Sequence, residues 1–390
     1  MPRIVPVALH EDEVAGEQLS EGQRLNPLPL LYSLITPTPR LRPKIPSHMN
    51  INRRLFALPL LVSLCWLTAA SQDDRILMGE DSHRYAWSSG WGASPEGEYG
   101  NTHGCVAVDS AGRIWFNTDT EKALVVLNKD GSIHKAFGKE FAGGLHGMTI
   151  RTEGKEEFVY LAHTARQEVI KATTDGEVIW KIGIPTESGH YPDPGRYRPT
   201  DVSVAPDGSV FVAGGYGSSW VHKFDSEGKY LLSIGGPGKE PGKFQTPHGI
   251  YVDDRGEEAV LLVADRQNGR LQVFDLEGNF KKIIDEELRL PCNVVPNGKD
   301  LIIPDLKGKV TVLNEDYELI CHLGDNPDPA LRAKHGAARA EWKDGLFTAP
   351  HGAAADAEGN VYVVDWNFLG RISRLERLPD EPSKEGSESE

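Results

Sequence analysis

At four of the five places where histidine is followed by glycine in this chain, the pair opens a short apolar segment, as Pro247-His248-Gly249 does before Ile250 to Val252. Histidine is the side chain best suited to bind a metal ion or move a proton near neutral pH. Two similar segments open on threonine and cysteine instead. The six opening residues, in chain order, are His103, His146, Thr200, His248, Cys292 and His351.

These openings belong to a repeat whose clearest copy runs from Phe244 to Phe274. An Asp/Gly turn, an apolar strand from Ala259 to Ala264, a polar turn and an alternating strand from Arg270 to Phe274 follow the opening. Successive openings are 43, 54, 48, 44 and 59 residues apart. A period of about 40–50 residues with four strands per unit is typical of a propeller. The sequence therefore predicts an all-β fold, a six-bladed β-propeller.

The domain boundaries follow from the repeats and from the N-terminal pattern. The propeller is expected over residues 103–379, with residues 71–102 as a lead-in that supplies the outer strand of the last blade and closes the ring. Residues 49–70 have the pattern of a signal peptide, with Arg53-Arg54, an apolar run from Leu55 to Leu67 and Ala69-Ala70 before the cleavage point. Residues 1–48 are interpreted as a non-structural extension and residues 380–390 as a disordered tail.

The chain is therefore expected to be secreted or periplasmic. The apolar run, at about 13 residues, is shorter than the roughly 20 of a membrane span, so no stable span is expected, and a retained signal anchor is the alternative. The net charge of −15 over 390 residues argues against a nucleic-acid partner. Cys105, Cys292 and Cys321 would remain after the signal peptide is removed, and buried thiols are favoured over one disulfide plus a free thiol.

The positions of the histidines in the ring suggest a metal site. If the blades are numbered from His103, then His146, His248 and His351 lie on blades two, four and six, which are 120° apart in a six-fold ring. Three imidazoles then converge on the axis, an arrangement that suits Zn²⁺ with an open coordination position. The alternative is that these histidines only pack and hydrogen-bond within the repeat. His103, on blade one, is a ligand, a supporting residue or simply typical of the repeat.

Two further residues are expected near the same end of the channel. Tyr216 ends the second strand of blade three, and Arg266 has the matching place in blade four. A phenol near cations loses its proton more easily and can act as a general base, and a guanidinium can bind a carboxylate in bidentate fashion. The alternatives are a rim aromatic for Tyr216 and, for Arg266, a turn residue paired with Asp265 or Asp305.

The repeat is similar to NHL repeats, and a longer stretch has a narrower resemblance. Blades two to four and six resemble peptidyl-α-hydroxyglycine α-amidating lyases, most closely in PTDVSVAPDGSVFVAGGYG, PGKFQTPHGI and VADRQNGRLQVF. The resemblance implies zinc held by His146, His248 and His351, a catalytic role for Tyr216 and a substrate-binding role for Arg266. It also implies the reaction: a peptidyl-α-hydroxyglycine is cleaved to a peptide amide and glyoxylate, with the substrate hydroxyl on zinc.

Some positions depart from the family pattern. The second family arginine, in blade one, has no counterpart, since Asn117 and Thr118 stand there. Gly352 replaces the acidic residue of a structural calcium site, which puts Ca²⁺ in doubt. Three functions thus remain: a zinc lyase acting on a small-molecule or peptide substrate at the channel, a non-catalytic NHL scaffold that binds a protein or glycan, and a calcium lactonase-like hydrolase. Histidines at the openings, where the hydrolase needs Glu, Asn and Asp, count against the third.

Overall fold

The computed structural model describes residues 75–285 and 287–379. The predicted extension (1–48), signal peptide (49–70) and polar tail (380–390) lie outside the described residues. Within them, the chain forms six antiparallel sheets, one per repeat, and the prediction of an all-β six-bladed propeller is confirmed. No helix in the part of the chain that is described has the length and apolarity to cross a membrane.

The strands follow the repeats in order. Two strands precede the first blade: β1 (Leu77–Met78) and β2 (Tyr85–Trp87). Blade one contains β3 (Val106–Val108), β4 (Ile114–Asn117), β5 (Leu124–Leu127) and β6 (Ile133–Phe137). Blade two contains β7 (Leu145–Glu153), β8 (Glu156–His163), β9 (Glu168–Thr173) and β10 (Val178–Ile182). Blade three contains β11 (Asp201–Val204), β12 (Val210–Ala213), β13 (Trp220–Phe224) and β14 (Tyr230–Gly235).

The second half of the ring repeats the scheme. Blade four contains β15 (Pro247–Asp253), β16 (Val260–Asp265), β17 (Arg270–Asp275) and β18 (Phe280–Ile284). Blade five contains β19 (Val295–Asn297), β20 (Asp300–Asp305), β21 (Lys309–Leu313) and β22 (Leu319–Leu323). Blade six contains β23 (Pro350–Ala355), β24 (Val361–Asp365) and β25 (Arg371–Arg377). Short 3-10 helices occupy Lys139–Phe141, Thr186–Ser188, Pro194–Arg196, Arg266–Asn268, Pro329–Leu331 and Arg339–Glu341.

The sheet of blade six is completed from the start of the described chain. β2 pairs antiparallel with β25, and β1 pairs with β2, so the sheet order is β1-β2-β25-β24-β23. Strand pairing thus joins the N-terminal lead-in to the last repeat and closes the ring.

Asp-x-x-Gly turns join many of these strands. In the turn after β3, the Asp109 carboxylate accepts hydrogen bonds from the main-chain N–H groups of Ala111 and Arg113, at 3.0 and 2.8 Å. Asp225 and Asp356 make the same pair of bonds in their turns. Gly112 adopts φ of +73°, a conformation that glycine reaches without strain. Aspartate and glycine at this spacing therefore fix the hairpins of the blades.

The core lies between the blades. Six clusters of buried apolar residues each join two neighbouring sheets around the ring. In the cluster between blades one and two, Trp115 of β4 packs with Leu161 of β8. The strands that begin each blade surround a central channel, and they line a cavity of about 300 Å³. The opening residues lie at one end of this channel, which we call the histidine end.

Candidate metal centre

The predicted trio of histidines is held at the histidine end by the first strand of alternate blades. His146 is the second residue of β7, His248 of β15 and His351 of β23, and each is at most 3% exposed. At each of the three, the inner strand has one residue more than its partner strand. Such a bulge bends the strand and re-aims a side chain. The extra residue coincides with each histidine.

The three imidazoles form a nearly equilateral triangle. Their ring centroids are 4.8 Å apart for His146 and His248, 4.8 Å for His146 and His351, and 4.7 Å for His248 and His351. The structure thus brings together the residues that alternate-blade symmetry predicts, although their role as ligands stays a prediction.

Each of these rings is oriented by the next blade. The Nδ1 atom of every ring is within hydrogen-bond distance of a main-chain carbonyl oxygen. The pairs are His146 with Thr200 at 2.6 Å, His248 with Cys292 at 2.7 Å, and His351 with Gly104 at 2.9 Å. Because a carbonyl oxygen can only accept, Nδ1 donates in each pair, and the Nε2 lone pair is left pointing elsewhere. This outer hydrogen bond is the one that metal-binding histidines normally make.

The Nε2 atoms have too few hydrogen-bond donors around them. The Tyr216 hydroxyl is 3.1 Å from Nε2 of His146 and 2.9 Å from Nε2 of His248, and also 3.1 Å from Nε2 of His103. A hydroxyl has one proton to donate, so it satisfies only one of these lone pairs at a time. The buried Nε2 of His351 has no partner. Buried acceptors without donors are costly, and a cation would satisfy them.

Burial also keeps these rings neutral. It lowers the pKa of His146 to about 3 and the pKa of His248 and of His351 well below the usual value, and the positive charge of Arg266 adds to each of these shifts. A neutral imidazole is the form that binds metal ions. The cluster is therefore in the ligand-ready state near neutral pH.

Two overlapping groups of side chains can hold a metal ion. One is His103, His146 and His351, and the other is His248, Cys292 and His351; within each, the ligand atoms lie within 4.8 Å of one another. Atoms this close to one another can approach a single ion together. Nitrogen and sulfur donors suit Zn²⁺ and similar ions. The predicted trio takes its members from both groups.

Arg266 is also at this site, and it has no carboxylate partner. The residue is 8% exposed, its Nη1 donates to the Tyr216 hydroxyl at 3.2 Å, and its guanidinium lies 5.2 Å from the Tyr216 ring centroid. Asp265 instead pairs with Arg270 at 2.8 Å, so the ordinary pairing considered from sequence is not formed. Within the described residues Arg266 makes no ion pair, and its Nε has no hydrogen-bond partner. A buried, unpaired guanidinium is suited to bind an anion.

Tyr216 is held at the cluster by a close approach of the main chain. The Gly214-Gly215-Tyr216 turn follows β12, and a Cβ on Gly215 would lie 2.4 Å from the Pro247 carbonyl oxygen. Only glycine therefore lets this turn pack against blade four. Burial raises the pKa of Tyr216, and the opposing charge of Arg266 does not cancel that rise. The sequence-based expectation of an easily ionised phenol is thus not met by the protein side chains alone.

Sequence reasoning missed three residues of the site. Cys292 was recognised only as an opening residue. Trp366 stacks on His103 at 4.0 Å, and His335, taken from sequence as an ordinary loop histidine, stacks on the other face of Trp366 at 4.3 Å. Trp366 had a detectable signal, since it follows Asp365 as Arg266 follows Asp265. His335 is also followed by glycine, but it lies in the long insertion before blade six, outside the repeat pattern.

The two positions that depart from the family pattern are filled by packing. Asn117 accepts from the Cys105 N–H at 2.9 Å and donates to the Leu145 carbonyl at 2.8 Å, so it joins blades one and two. A Cβ on Gly352 would lie 2.6 Å from the Gly104 carbonyl oxygen. The backbones approach too closely there for an acidic side chain.

The chain is similar to several characterised proteins, although no family model matches it. It is 30% identical over 268 residues to peptidyl-glycine alpha-amidating monooxygenase A of Xenopus laevis, covering 63% of this chain and 26% of the relative. Peptidyl-alpha-hydroxyglycine alpha-amidating lyase 1 of Drosophila melanogaster is 26% identical, over 61% of this chain and 45% of the relative. Human NHL repeat-containing protein 3 is 27% identical, over 57% of this chain and 67% of the relative.

Solved structures agree on the fold. A streptogramin B lyase has a TM-score of 0.51 at 14% identity, over 77% of this chain and 97% of that one. A gluconolactonase from Xanthomonas campestris has a TM-score of 0.51 at 12% identity, over 75% of this chain and 89% of that one. The spread of activities among such structures means that they support the architecture alone. Together, fold and sequence make this chain a six-bladed β-propeller with NHL-type repeats that resembles the peptidyl-α-hydroxyglycine α-amidating lyases.

Proposed function

We propose that the chain is a metal-dependent carbon–nitrogen lyase of the amidating type, with a peptidyl-α-hydroxyglycine or a related hydroxy-carboxylate as its substrate. The observation that carries the proposal is one cluster in which unsatisfied Nε2 atoms, the Tyr216 hydroxyl and the unpaired Arg266 guanidinium meet. The Nε2 atoms suit a metal ion, the hydroxyl suits a proton transfer, and the guanidinium suits a carboxylate. An α-hydroxyglycine end has a hydroxyl and a carboxylate on the same carbon, so it matches this set.

The roles follow from the atoms present. His146, His248 and His351 would hold the ion through Nε2, and Zn²⁺ is the ion proposed. When bound, such an ion supplies Lewis acidity and positive charge, which favour ionisation of hydroxyls beside it. Arg266 would bind the substrate carboxylate and fix its direction. His103, stacked on Trp366, would line the same space.

The reaction requires one net proton movement, which Tyr216 is positioned to handle. The hydroxyl proton of the substrate leaves its oxygen, the C–N bond breaks with its electron pair going to nitrogen, and the nitrogen receives a proton. The products are an amide and glyoxylate. Since burial raises the pKa of Tyr216, its protonated form can donate to the departing nitrogen, whereas removal of the first proton needs added positive charge at the cluster.

Metal analysis combined with a product assay tests the proposal. Protein purified without chelator should contain about one metal ion per chain and release glyoxylate from an α-hydroxyglycine peptide. A His146→Ala/His248→Ala variant should lose both. The matched control is His134→Ala/His190→Ala, which removes two histidines outside the cluster and should change neither. A metal-free protein, or an active double variant, would sink the mechanism.

A binding scaffold is the second candidate function. It is favoured by the likeness to human NHL repeat-containing protein 3, of which the chain covers 67%, and by the absence of the blade-one arginine. A scaffold that binds a protein or glycan would keep its binding in Tyr216→Phe and His248→Ala, whereas a lyase would lose turnover in both.

We also propose that the chain is exported through residues 49–70, from the charged, apolar and small-residue pattern of that segment. The mature N-terminus should be Ser71. N-terminal sequencing of protein from the medium or periplasm checks this. If the protein is found only in membranes and still contains the Leu55–Leu67 run, the segment is an anchor instead.

A further inference from the structure

We propose that Cys292 is itself a ligand of the metal centre, through its Sγ beside Nε2 of His248 and of His351. The inference rests on the proposed function in one respect, since it needs a metal ion at this centre. It adds a thiolate to a site that symmetry alone would build only from histidines.

The geometry places the sulfur among ligand atoms. Cys292 is the opening residue of blade five, the place taken by histidine in four other blades, and it is 1% exposed. Its Sγ and the ring nitrogens of His248 and His351 all lie within 4.8 Å of one another. The same residue also orients His248, because its carbonyl oxygen accepts from Nδ1 at 2.7 Å. One residue thereby fixes a ligand ring and presents a donor atom of its own.

The Cys292 sulfur and one ring nitrogen of the same group lack a strong partner in the described part of the protein. The thiol donates a hydrogen bond of 3.7 Å to the Leu290 carbonyl oxygen, and a thiol is a weak donor. Nε2 of His351 is buried and has no hydrogen-bond partner among the described residues. Two soft donor atoms that face one space, each poorly satisfied, are what a thiophilic ion would complete.

Arg266 contributes to this arrangement. Burial raises the pKa of the Cys292 thiol to about 12, and the nearby positive charge of Arg266 opposes part of that rise. A fixed positive charge beside a sulfur stabilises the thiolate, which is the form that binds metal. The same charge would offset part of the cost of burying the Cys292 thiolate, a cost that is high for an isolated charge.

An inert buried thiol is the competing interpretation. Part of the residue does pack on an apolar cluster with Leu306 and Ala349. Cys105 and Cys321 supply the comparison: both are buried and free like Cys292. Neither belongs to the two ligand groups found among the described residues. Cys292 is the one that shares its surroundings with imidazoles and a guanidinium.

A thiolate in the ligand set changes which ions the site prefers. Sulfur favours Zn²⁺, Co²⁺ and Cu⁺ over Mn²⁺ and Mg²⁺, which prefer oxygen. Cobalt is the useful probe, because a bound thiolate gives a near-ultraviolet charge-transfer band in addition to the visible bands that any Co²⁺ ligand set produces. The band reports sulfur ligation without any reference to catalysis.

The test loads the full chain with Co²⁺ and compares four proteins: the unaltered chain, Cys292→Ser, Cys105→Ser and Cys321→Ser. We expect one Co²⁺ per chain and a thiolate band in the unaltered chain and in the two control variants. Cys292→Ser should lose the thiolate band, keep visible bands and bind Co²⁺ at least about tenfold more weakly, since even outer-sphere partners of ligands change affinity by 10–100-fold.

The remaining outcomes separate this inference from the proposed function. Visible cobalt bands without a thiolate band would overturn the role of Cys292 and leave a centre without sulfur. A thiolate band that persists in Cys292→Ser would also overturn that role, because it would assign the sulfur to another cysteine. No bound cobalt in the unaltered chain would overturn both. If Cys292→Ser does not fold, X-ray absorption at the cobalt edge of the unaltered chain decides: one sulfur neighbour is expected, and none refutes the inference.

Discussion

The Tyr216 hydroxyl is within hydrogen-bond distance of four side chains of the site. It lies within 3.1 Å of Nε2 of His103, His146 and His248, and it accepts from Arg266 at 3.2 Å. One proton cannot serve three acceptors, so the hydroxyl must exchange among them or be relieved by a cation. A group with closely spaced alternative proton positions is well placed to pass a proton between substrate atoms.

Removing this hydroxyl should abolish proton transfer but not metal binding. We expect Tyr216→Phe to lower kcat for glyoxylate release by about 10²–10⁴-fold, the usual contribution of general acid–base catalysis. Metal content should stay at that of the unaltered chain. Tyr230→Phe, in the same blade, removes a hydroxyl that bonds only Ser233 among the described partners and should leave kcat unchanged. Full activity in Tyr216→Phe would exclude the proposed role.

Arg266 should act on substrate binding rather than on folding. Charge-assisted hydrogen bonds contribute about 1.5–3 kcal/mol, so Arg266→Gln should raise KM by roughly 10–100-fold. The discrimination between a free carboxylate and its methyl ester should disappear. The neighbouring Arg270 is bonded to Asp265 at 2.8 Å, so Arg270→Gln should instead lower the unfolding temperature. Equal KM values for acid and ester in the unaltered chain would contradict the assignment.

At this scale, the repeat predicts which residues meet but not which atoms bond. Openings at fixed places in successive copies bring His146, His248 and His351 to one axis. The partners of their Nδ1 atoms are main-chain carbonyls of the next blade, which no side-chain pattern encodes. The free guanidinium of Arg266 is likewise invisible in sequence, since Asp265 is adjacent and is taken by Arg270 only in the folded chain.

At the scale of the strand, Asp201 is the unusual residue of the channel. It begins β11, is 3% exposed, and lines the cavity below the histidines. Its Oδ2 accepts from the Ile250 N–H at 3.0 Å, while its buried Oδ1 has no partner. Burial raises the pKa of Asp201 to about 7. The folded strand therefore prefers a protonated carboxyl that the unfolded chain ionises near pH 4.

This shift gives stability a definite pH dependence. Between about pH 4 and pH 7 the folded chain holds a proton on Asp201 that the unfolded chain has lost, so the contribution of Asp201 to stability falls as pH rises and levels off above pH 7. The buried histidines, whose pKa values are lowered, act in the opposite direction over part of this range, so the effect of Asp201 is measured as a difference between Asp201→Asn and the unaltered chain. Asp201→Asn removes the ionisation and should be more stable than the unaltered chain at pH 8, by at most about 4 kcal/mol at 1.36 kcal/mol per pKa unit. The gain should vanish near pH 4.

Thermal unfolding at pH 4.5 and pH 8 measures the effect. Asp254→Asn is the control, since Asp254 also lines the cavity but is exposed, and it should shift both temperatures little. A difference between Asp201→Asn and the unaltered chain that is the same at both pH values would mean that packing, not ionisation, is responsible.

The apolar pattern of the sequence predicts which segments are strands, but it does not predict the register in which they pair. The segments that contain Tyr251 and Val363 are recognisable as β-strands from their apolar pattern. The single extra residue at His146, His248 and His351 cannot be recognised, because neither Leu-His-Gly nor Pro-His-Gly has a hydropathy signal for a bulge. The bulge is set by how closely Gly147, Gly249 and Gly352 approach the next blade, where a Cβ would lie within 2.6 Å of a main-chain atom.

At the scale of the whole molecule, the ring depends on strands that are far apart in sequence. Six repeats are countable from the chain, and their period predicts the propeller. Closure depends on β2, whose Tyr85 pairs with Arg377 across 292 residues. Tyr85 is fully buried, and its hydroxyl bonds Asn297 at 3.1 Å and Arg377 at 2.9 Å. This one side chain thus contacts blades five and six together.

Tyr85 should therefore matter to the stability of the entire ring. Tyr85→Ala is expected to lower the free energy of unfolding by about 3–5 kcal/mol, as for other large buried aromatics. Tyr85→Phe keeps the ring and removes only the hydroxyl, so it should cost about 1–3 kcal/mol through the partners left unsatisfied. Phe368→Ala, at 51% exposure, should change stability by less than about 0.5 kcal/mol.

Guanidinium unfolding monitored by tryptophan fluorescence distinguishes closure from local packing. Trp87 is in β2, Trp115 in blade one, and Trp366 directly follows β24 of blade six, so the combined signal reports on both sides of the seam. If β2 closes the ring, Tyr85→Ala should shift the whole transition to lower denaturant, because an opened ring exposes the core on both sides of blade six. An early partial transition confined to β1 and β2, with the main transition unmoved, would mean that the five complete sheets hold the ring without this strand.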